Sequence, residues 1–307
     1  MLLGRAFDEF VHPRQFPRAI LAALFAVPLV LFLLFIPFAL IAPMIYYEYG
    51  YGGFNPAILL VPPLGLLAVL LPVVFLVWLA ARIAFAHILG NSVAVSASNY
   101  PRIHRLVIEV TEAMAYHKTI HVFVYQQGEF NAFMRRFFWR RAVFLNSEMV
   151  AQGVTDDEIR WITGRFIGYW RARRRSGLFG AIIRLAQRFL VFNFFILPYE
   201  RAMVYTGDRV ALAAINGDIG TAVSAMQKLI VGRELGYSIN PAGIVEQHRR
   251  VKGSLFAFLA RLPSSFPHTT ARFVDLIAFA QQKFPDQYAR FVAENPSLPA
   301  DYRGLRS

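Results

Sequence analysis

Two long uncharged stretches dominate the first third of the chain. Residues 19–46 and 57–81 contain no Asp, Glu, Lys, Arg or His. Each is longer than the roughly 20 residues that a helix needs to cross the hydrocarbon core of a bilayer. Both contain prolines, which membrane-spanning helices tolerate. The pattern predicts two transmembrane helices, at about 19–46 and 57–81, within a membrane region that covers residues 19–90.

The charges that flank these stretches predict their orientation. Arginines precede the first stretch and follow the second, whereas the short loop between them has no Lys or Arg. The positive-inside rule therefore places both ends in the cytoplasm. The first stretch exceeds the 7–15 apolar residues of a signal peptide, so we expect an uncleaved anchor after a cytoplasmic segment, residues 1–18.

After residue 95 the pattern changes to alternating apolar and polar positions. Residues 100–117 have helical periodicity, 120–125 and 142–145 have the β-branched and aromatic content of strands, and 156–174 form a strongly periodic helix. Further helices are predicted at 200–216, 219–231, 241–261, 270–283 and 286–294. The fold class is therefore α+β and mostly helical, with a small β-sheet in a domain over 95–283 and a C-terminal helix and tail over 284–307.

Residues 178–197 are apolar but carry Arg184 and Arg188 one turn apart. This combination favours a helix that lies at the membrane interface over one that crosses it. A crossing would also place the following helices on the far side of the membrane.

Charge and cysteine content narrow the possible partners. The net charge is +13 and the chain has no cysteine, so disulfides and thiolate metal sites are excluded. In a membrane protein, clustered bases such as those at 171–175 indicate contact with anionic lipid headgroups. No nucleic-acid recognition module is visible, and no small-molecule substrate is indicated.

Four segments in order carry a resemblance to a known family. These are Asn131-Ala132-Phe133, the stretch 140–170 (RRAVFLNSEMVAQGVTDDEIRWITGRFIGYW), the stretch 199–212 (YERAMVYTGDRVAL) and the stretch 264–273 (SSFPHTTARF). They resemble the membrane zinc metallopeptidases of the HtpX type, which are relatives of the CAAX prenyl protease. The resemblance implies a metallopeptidase-like domain with an HExxH zinc helix, a third ligand on a later helix and a substrate groove.

The chemistry of that family is missing at the matching positions. The two histidines of HExxH fall on Arg165 and Tyr169, its glutamate on Phe166, the third ligand on Val204 and a further histidine on Phe266. Arginine does not ligate zinc and phenylalanine does not transfer a proton. The resemblance therefore implies a pseudopeptidase, with no catalytic residue, metal or cofactor.

The aspartate that follows the third-ligand position is retained as Asp208. Because Arg165 replaces a metal-binding histidine that this aspartate would support, we expect an Arg165–Asp208 ion pair in the former site. Phe166, Val204 and Phe266 would make the former cleft apolar. The alternative is that Arg165 is one more surface base.

The function that the sequence favours is a scaffold, adaptor or accessory subunit of a membrane protein complex, in a bacterial inner membrane. The resemblance places a possible peptide groove at Asn131, Ala132, Phe133, Val143, Phe144 and Asn146. The alternative is an active membrane metallopeptidase or hydrolase with a non-standard site. His117 and His121 have the spacing of a zinc pair, but exposed or capping histidines are the simpler interpretation.

Overall fold

A computed structural model describes residues 7–28, 31, 35, 56–126, 132–137, 140–175, 177, 180, 183, 187, 193–299 and 302. Side chains are not described at 56–70, 135–137, 140, 174–175 and 193–194. The chain divides into two compact units, one made of residues 1–22 and 92–307 and the other of 23–91.

The unit of residues 23–91 contains a long apolar helix, α2 (Pro56–Gly90), of 35 residues. Its Leu71–Gly90 portion has a mean hydropathy of 2.0 and is not buried. In the described part of the chain this is the one helix long and apolar enough to cross a membrane. The second predicted stretch is thus helical and continues past residue 81. The first, 19–46, is described mainly in its opening residues, within α1 (Gln15–Pro28), so two transmembrane helices are not confirmed.

The other unit contains a four-stranded sheet. Its strands are β1 (Ser92–Ala94), β2 (Ile120–Tyr125), β3 (Ala132–Phe137) and β4 (Arg140–Asn146). They lie in the order β1-β2-β4-β3, with β2 and β4 parallel and the other pairs antiparallel. The strands predicted at 120–125 and 142–145 are confirmed. Strand β3 overlaps the edge-strand position that the resemblance implied, and one side of its backbone has no partner strand within this sheet.

Helices make up most of the remaining described chain, so the α+β class is confirmed. They are α3 (Pro101–Ala113), α4 (Asp156–Arg175), α5 (Asn193–Ala214), α6 (Ile219–Val231), α7 (Arg233–Gly236), α8 (Pro241–Lys252), α9 (Leu255–Arg261), α10 (Thr269–Lys283) and α11 (Pro285–Glu294). The predicted helix 241–261 is two helices, because Ser254 caps a new one by accepting a bond from the Ala257 backbone N–H at 3.3 Å.

The predicted interfacial helix at 178–197 lies largely outside the described residues. Its end, from Asn193, belongs to α5, which continues through Pro198. The prediction that the next helix begins at residue 200 was therefore wrong by about two turns. Proline inside a helix removes one backbone hydrogen bond but still permits the helix to continue.

A capping box begins α4. The Thr155 hydroxyl accepts a hydrogen bond from the Glu158 backbone N–H, and the Glu158 carboxylate accepts one from the Thr155 N–H at 2.8 Å. The other oxygen of Glu158 accepts bonds from Lys228 Nζ at 2.5 Å and Ser224 Oγ at 2.6 Å. The acidic start of α4 is therefore a helix end that also joins α4 to α6.

Helices α4 and α5 approach each other closely because glycines face each other at the contact. A Cβ added to Gly207 would lie 2.4 Å from the Arg165 backbone oxygen. A Cβ added to Gly168 would lie 3.1 Å from Gly207 Cα. Real Cβ atoms essentially never come as close as 2.4 Å, so position 207 requires glycine, and a side chain at 168 would push its neighbours aside by a few tenths of an ångström.

The N-terminal segment packs into the same unit as the domain. The His12 backbone N–H donates to Thr206 Oγ1 at 2.9 Å, and Thr206 Oγ1 donates to Gln15 Oε1 at 2.7 Å. Gln15 Nε2 donates to the Ala172 carbonyl at 3.2 Å. The segment predicted as separate, 1–18, is thus tied to α4 and α5 through residues 7–18.

Candidate functional site: a cleft without metal ligands

One cleft brings together all five positions at which the sequence departs from the zinc peptidase pattern. Arg165, Phe166 and Tyr169 come from α4, Val204 from α5, and Phe266 from the loop before α10. The cleft is small and partly open to solvent, with a cavity volume of about 10 Å³, and its other lining residues are Met134, Asp208 and Arg272. Residues 165 and 169, and likewise 204 and 208, are one helical turn apart, which places each pair on one helix face.

The cleft offers no set of metal ligands. Within the described residues, no group of three or more His, Cys, Asp or Glu side chains is placed to hold a metal ion. Of the cleft residues, Asp208 has the one carboxylate, and both of its oxygens accept bonds from Arg272. His117 is exposed and His121 lies on β2, away from the residues that line the cleft.

Asp208 has a different partner from the one the sequence suggested. Arg272 Nε and Nη2 each donate to a carboxylate oxygen of Asp208 at 2.7 Å, and both side chains are buried. This is a bidentate pair, the strong geometry for arginine and carboxylate. The two bonds and the Asp208 charge keep the pKa of Arg272 raised despite its burial.

A second ion pair joins the same two helices, α5 and α10, but here the arginine lies on α5 and the aspartate on α10. Arg209 on α5 donates through Nε and Nη2 to Asp275 on α10, at 2.9 and 2.7 Å. His12 Nε2 lies 3.8 Å from the same carboxylate. Helices α5 and α10 are thus joined by two neighbouring buried ion pairs, one on the cleft and one behind it.

Arg165 is buried but does not pair with Asp208. It is 8% exposed, so the alternative of a surface base was wrong. Its guanidinium carbon lies 4.6 Å from the centre of the Phe166 ring and 5.9 Å from that of Trp161. Among the described residues it makes no hydrogen bond or ion pair. The predicted Arg165–Asp208 pair is therefore corrected to Arg272–Asp208, because Arg272 occupies both carboxylate oxygens.

The electrostatic surroundings of Arg165 are unfavourable to its charge. Burial and, to a smaller extent, the nearby positive charge of Arg272 lower the pKa of Arg165 to about 9, while the charge of Asp208 acts in the opposite direction. A base whose pKa is lowered on folding has a cationic form that destabilises the folded state. Arg165 is nevertheless charged at neutral pH.

Tyr169 belongs to a polar network behind the cleft. Its hydroxyl donates to Glu200 Oε2, and Glu200 Oε1 accepts from Gln187 Nε2 at 2.5 Å. Arg173 Nη1 lies 3.4 Å from Glu200 Oε1. Burial and the adjacent Glu200 carboxylate raise the pKa of Tyr169, so its hydroxyl stays protonated. It is thus a hydrogen-bond donor held by a carboxylate.

Phe266 stands at the mouth of the cleft rather than inside it. It is 43% exposed, which corrects the expectation that it makes the interior apolar. Arg201 holds its loop by donating from Nη1 to the carbonyls of Arg261 and Ser264, at 3.0 and 2.8 Å. The buried apolar lining comes instead from Phe166 and Val204.

The predicted groove residues fall into two groups. Val143, Phe144 and Asn146 are buried on β4, which lies between β2 and β3. Phe144 stacks on Phe133 at 4.9 Å between ring centres, and the Asn146 side chain accepts a bond from the Glu148 N–H. These three are therefore core or capping residues, which corrects their assignment to a binding surface.

The second group lies on or beside β3. Ala132 and Phe133 are half-buried on this edge strand, and Met134 next to them lines the cleft. Asn131 lies outside the described residues. What survives of the predicted groove is therefore the β3 edge together with the cleft.

Sequence reasoning did not assign a role to Arg272, Met134 or Glu200. A signal for Arg272 was available, since it is the arginine in the SSFPHTTARF stretch that carried part of the resemblance. Two signals for Glu200 were its place in the YERAMVYTGDRVAL stretch and its eight-residue distance from Asp208 on one helix face.

Comparison of the chain with family models, with curated proteins and with solved structures gives no match. The resemblance to the HtpX-type peptidases therefore stays a prediction, and the site must be interpreted from its own geometry.

Proposed function

We propose that this chain is a membrane-anchored, non-catalytic binding protein that serves as a scaffold, adaptor or accessory subunit of a membrane protein complex. The observation that carries the proposal is the cleft. It gathers Arg165, Phe166, Tyr169, Val204 and Phe266 beside a sheet edge, and none of these side chains supplies a zinc ligand of the expected kind.

The cleft lacks a side chain that is free to act in hydrolysis, among the residues that the structure describes. Hydrolysis of a peptide bond needs an activated water or nucleophile and a group that transfers a proton. In this cleft the carboxylate of Asp208 is held by two bonds from Arg272, and the Tyr169 hydroxyl is held by Glu200 with a raised pKa. Both groups are committed to structural bonds.

Strand β3 supports a role in polypeptide binding. Its unpaired edge within the four-stranded sheet offers backbone N–H and C=O groups to an extended polypeptide, and Met134 connects that edge to the cleft. A polypeptide added as a further strand would place alternate side chains toward the cleft. The partner is then a protein segment rather than a small-molecule substrate.

Helix α2 supports the proposal that the chain is anchored in a membrane. Its Leu71–Gly90 portion is apolar and unburied, and water is a poor solvent for such a surface. A helix of 35 residues is roughly 50 Å long, so it exceeds the roughly 30 Å hydrocarbon core. Lipids, and a bacterial inner-membrane location with a cytoplasmic domain, belong to this proposal.

The test uses the full chain purified in detergent and an unfolded, fluorescently labelled test polypeptide. A photo-crosslinking residue replaces Met134 in one variant and Val93, on the opposite edge strand β1, in a matched control. Zinc content is measured by elemental analysis without added metal, and fragments of the polypeptide are followed over time. We expect crosslinks from position 134 well above those from 93, no fragments, and zinc near zero.

Two results would contradict the proposal. Fragments that appear together with about one zinc per chain, both lost on changing His117 or His121, would establish the alternative of an active enzyme with a non-standard site. Equal crosslinking from positions 134 and 93 would show that the β3 edge is not a binding surface.

A further inference from the structure

The first inference concerns the unpaired charge of Arg165. Three charged side chains line the cleft, and two of them, Asp208 and Arg272, neutralise each other. Arg165 has aromatic faces beside it and no anion bonded to it among the described residues. The cleft therefore presents one buried, uncompensated positive charge.

A buried charge without a partner destabilises the folded state, so folded proteins rarely retain one that has no use. Cation–π contacts offset only part of this cost. An anion entering the cleft would supply the missing partner. The guanidinium of arginine suits this role, since it donates in a planar fork that matches a carboxylate.

We propose that Arg165 is the receptor for a carboxylate, delivered by the C-terminus of an extended polypeptide or by a free small carboxylate. The apolar side chains of Phe166, Val204 and Met134 line the same cleft and would contact the hydrocarbon attached to that group at the cleft opening. One guanidinium charge balances a monovalent carboxylate, whereas it leaves part of the charge of a phosphate unbalanced. The polypeptide source rests on the proposed function, since the terminus would arrive along β3.

The experiment measures binding to the full chain in detergent by fluorescence anisotropy. The probes are one labelled apolar peptide with a free C-terminal carboxylate and the same peptide with a C-terminal amide. We expect the acid to bind at least about tenfold more tightly, in line with charge-assisted bonds in a buried site. Arg165→Met should abolish the preference, and Arg233→Met, at a half-buried position that does not line the cleft, should preserve it.

Unfolding of the same variants separates a receptor from a structural residue. A structural Arg165 would make Arg165→Met melt at a lower temperature than the parent chain. A receptor, free of a bonded partner, would give an unchanged or higher melting temperature together with lost binding. A lower melting temperature with the acid preference retained would overturn the proposal.

Competition identifies the source of the carboxylate. Displacement of the acid peptide by benzoate at matching affinity indicates a free carboxylate, whereas displacement by acid peptides alone indicates a chain terminus. If acid and amide bind equally and position 134 still crosslinks, the carboxylate inference fails while the proposed function stands. If neither peptide binds but benzoate raises the melting temperature through Arg165, the inference stands and the peptide groove fails.

A second inference comes from α9, which has no buried residue. Leu255, Phe256, Phe258 and Leu259, here called the α9 patch, are 66%, 80%, 47% and 47% exposed. Bases lie on both sides of the patch, at Arg249, Arg250 and Lys252 in the last turn of α8 and at Arg261. Arg249 and Arg250 share a single acid, Glu246.

We infer that the α9 patch enters the headgroup region of an anionic bilayer. Aromatic and aliphatic side chains flanked by bases are typical of interfacial helices. A helix of 7 residues is far too short to cross the membrane. The positive flank selects an anionic lipid surface over an apolar protein partner.

Because the chain has no cysteine, one engineered cysteine can carry an environment-sensitive dye. Phe256→Cys is compared with Ile108→Cys, an exposed apolar position on α3, in the full chain reconstituted into anionic vesicles that contain acyl-chain quenchers. We expect strong quenching at 256, little at 108, and weaker quenching at 256 in neutral vesicles. Equal quenching at the two positions, or none at 256, would overturn the inference.

Discussion

Arg272 and Arg165 line the same cleft, are both buried, and differ in how their charge is compensated. Arg272 makes two bonds of 2.7 Å to Asp208, and its pKa is raised. Arg165 makes no ion pair with any residue that the structure describes, the Phe166 and Trp161 rings lie beside it, and its pKa is lowered to about 9. The first belongs to the ion pairs that join α5 to α10, and the second belongs to the cleft.

The difference shows that buried charges within one small region can be either compensated by an ion pair or left uncompensated. A charge with a bidentate partner is part of the structure, because removing either member leaves the other buried and uncompensated. A buried charge without a partner destabilises the folded state and is available to a ligand. Equal burial of two arginines therefore predicts opposite responses to substitution.

The largest expected change in stability follows from breaking the Arg272–Asp208 ion pair. Arg272→Met leaves the carboxylate of Asp208, which is 1% exposed, without its partner. We expect the free energy of unfolding to fall by about 3–5 kcal/mol, measured by denaturant unfolding in detergent. The double variant with Asp208→Leu should recover much of the loss. A single variant as stable as the parent chain would show that the pair is not structural.

The next effect concerns the helix contact beneath Arg165. In Gly207→Ala the new methyl would lie 2.4 Å from the Arg165 backbone oxygen, so α4 and α5 must move apart. We expect a loss of about 1–3 kcal/mol, together with weaker carboxylate binding because Arg165 shifts. Gly243→Ala is the control. It lies within α8 with open space around it and should gain about 0.5–1 kcal/mol.

A smaller change in stability, of opposite sign, is expected when Arg165 is replaced. Arg165→Met removes a buried cation and leaves no bonded acid uncompensated. We expect the free energy of unfolding to rise by about 1 kcal/mol, by the same measurement. A fall of more than about 1 kcal/mol would mean that Arg165 is structural and would remove the contrast with Arg272.

The smallest effect is expected at an exposed ion pair. Arg102 Nε lies 2.7 Å from Asp156, and this hydrogen bond lowers the pKa of that carboxyl. A lowered carboxyl pKa stabilises the fold above the unfolded value, near 4, and this contribution is lost as pH falls below it. Because water screens the pair, Arg102→Ala should cost at most about 0.5 kcal/mol at pH 7 and progressively less as the pH falls toward the lowered pKa of Asp156. A loss that does not vary with pH would point to the Arg102–Val154 hydrogen bond instead.

Local patterns allowed a large part of the fold to be predicted. The acids at 156–158 and the apolar period that follows predict α4, and the β-branched run at 120–125 predicts β2. Both depend on neighbours within a few residues. Strand β1 was missed because three residues carry too little pattern, and the break at Gly253 was missed because Val251 and Leu255, one turn apart, continue the apolar period across it.

The cleft was predictable only in part. The family resemblance predicted that Arg165, Phe166, Tyr169, Val204, Asp208 and Phe266 share one site, and all six line the cleft. The sequence did not identify which basic residue forms the ion pair with Asp208. Arg165 and Arg272 are both arginines near the same acid, and the choice depends on distances between α4, α5 and α10 that no local pattern contains.

The sequence by itself determined the apolar helix α2, the strands β2 and β4, most of the later helices and the absence of cysteine, because these are properties of residue type and spacing. The tertiary structure decided that Asp208 binds Arg272, that Arg165 is buried without an ion-pair partner among the described residues, and that β4 is interior while β3 is an edge. These outcomes depend on packing between segments far apart in the chain. There, close contact at Gly207 and Gly168 fixes which side chains meet.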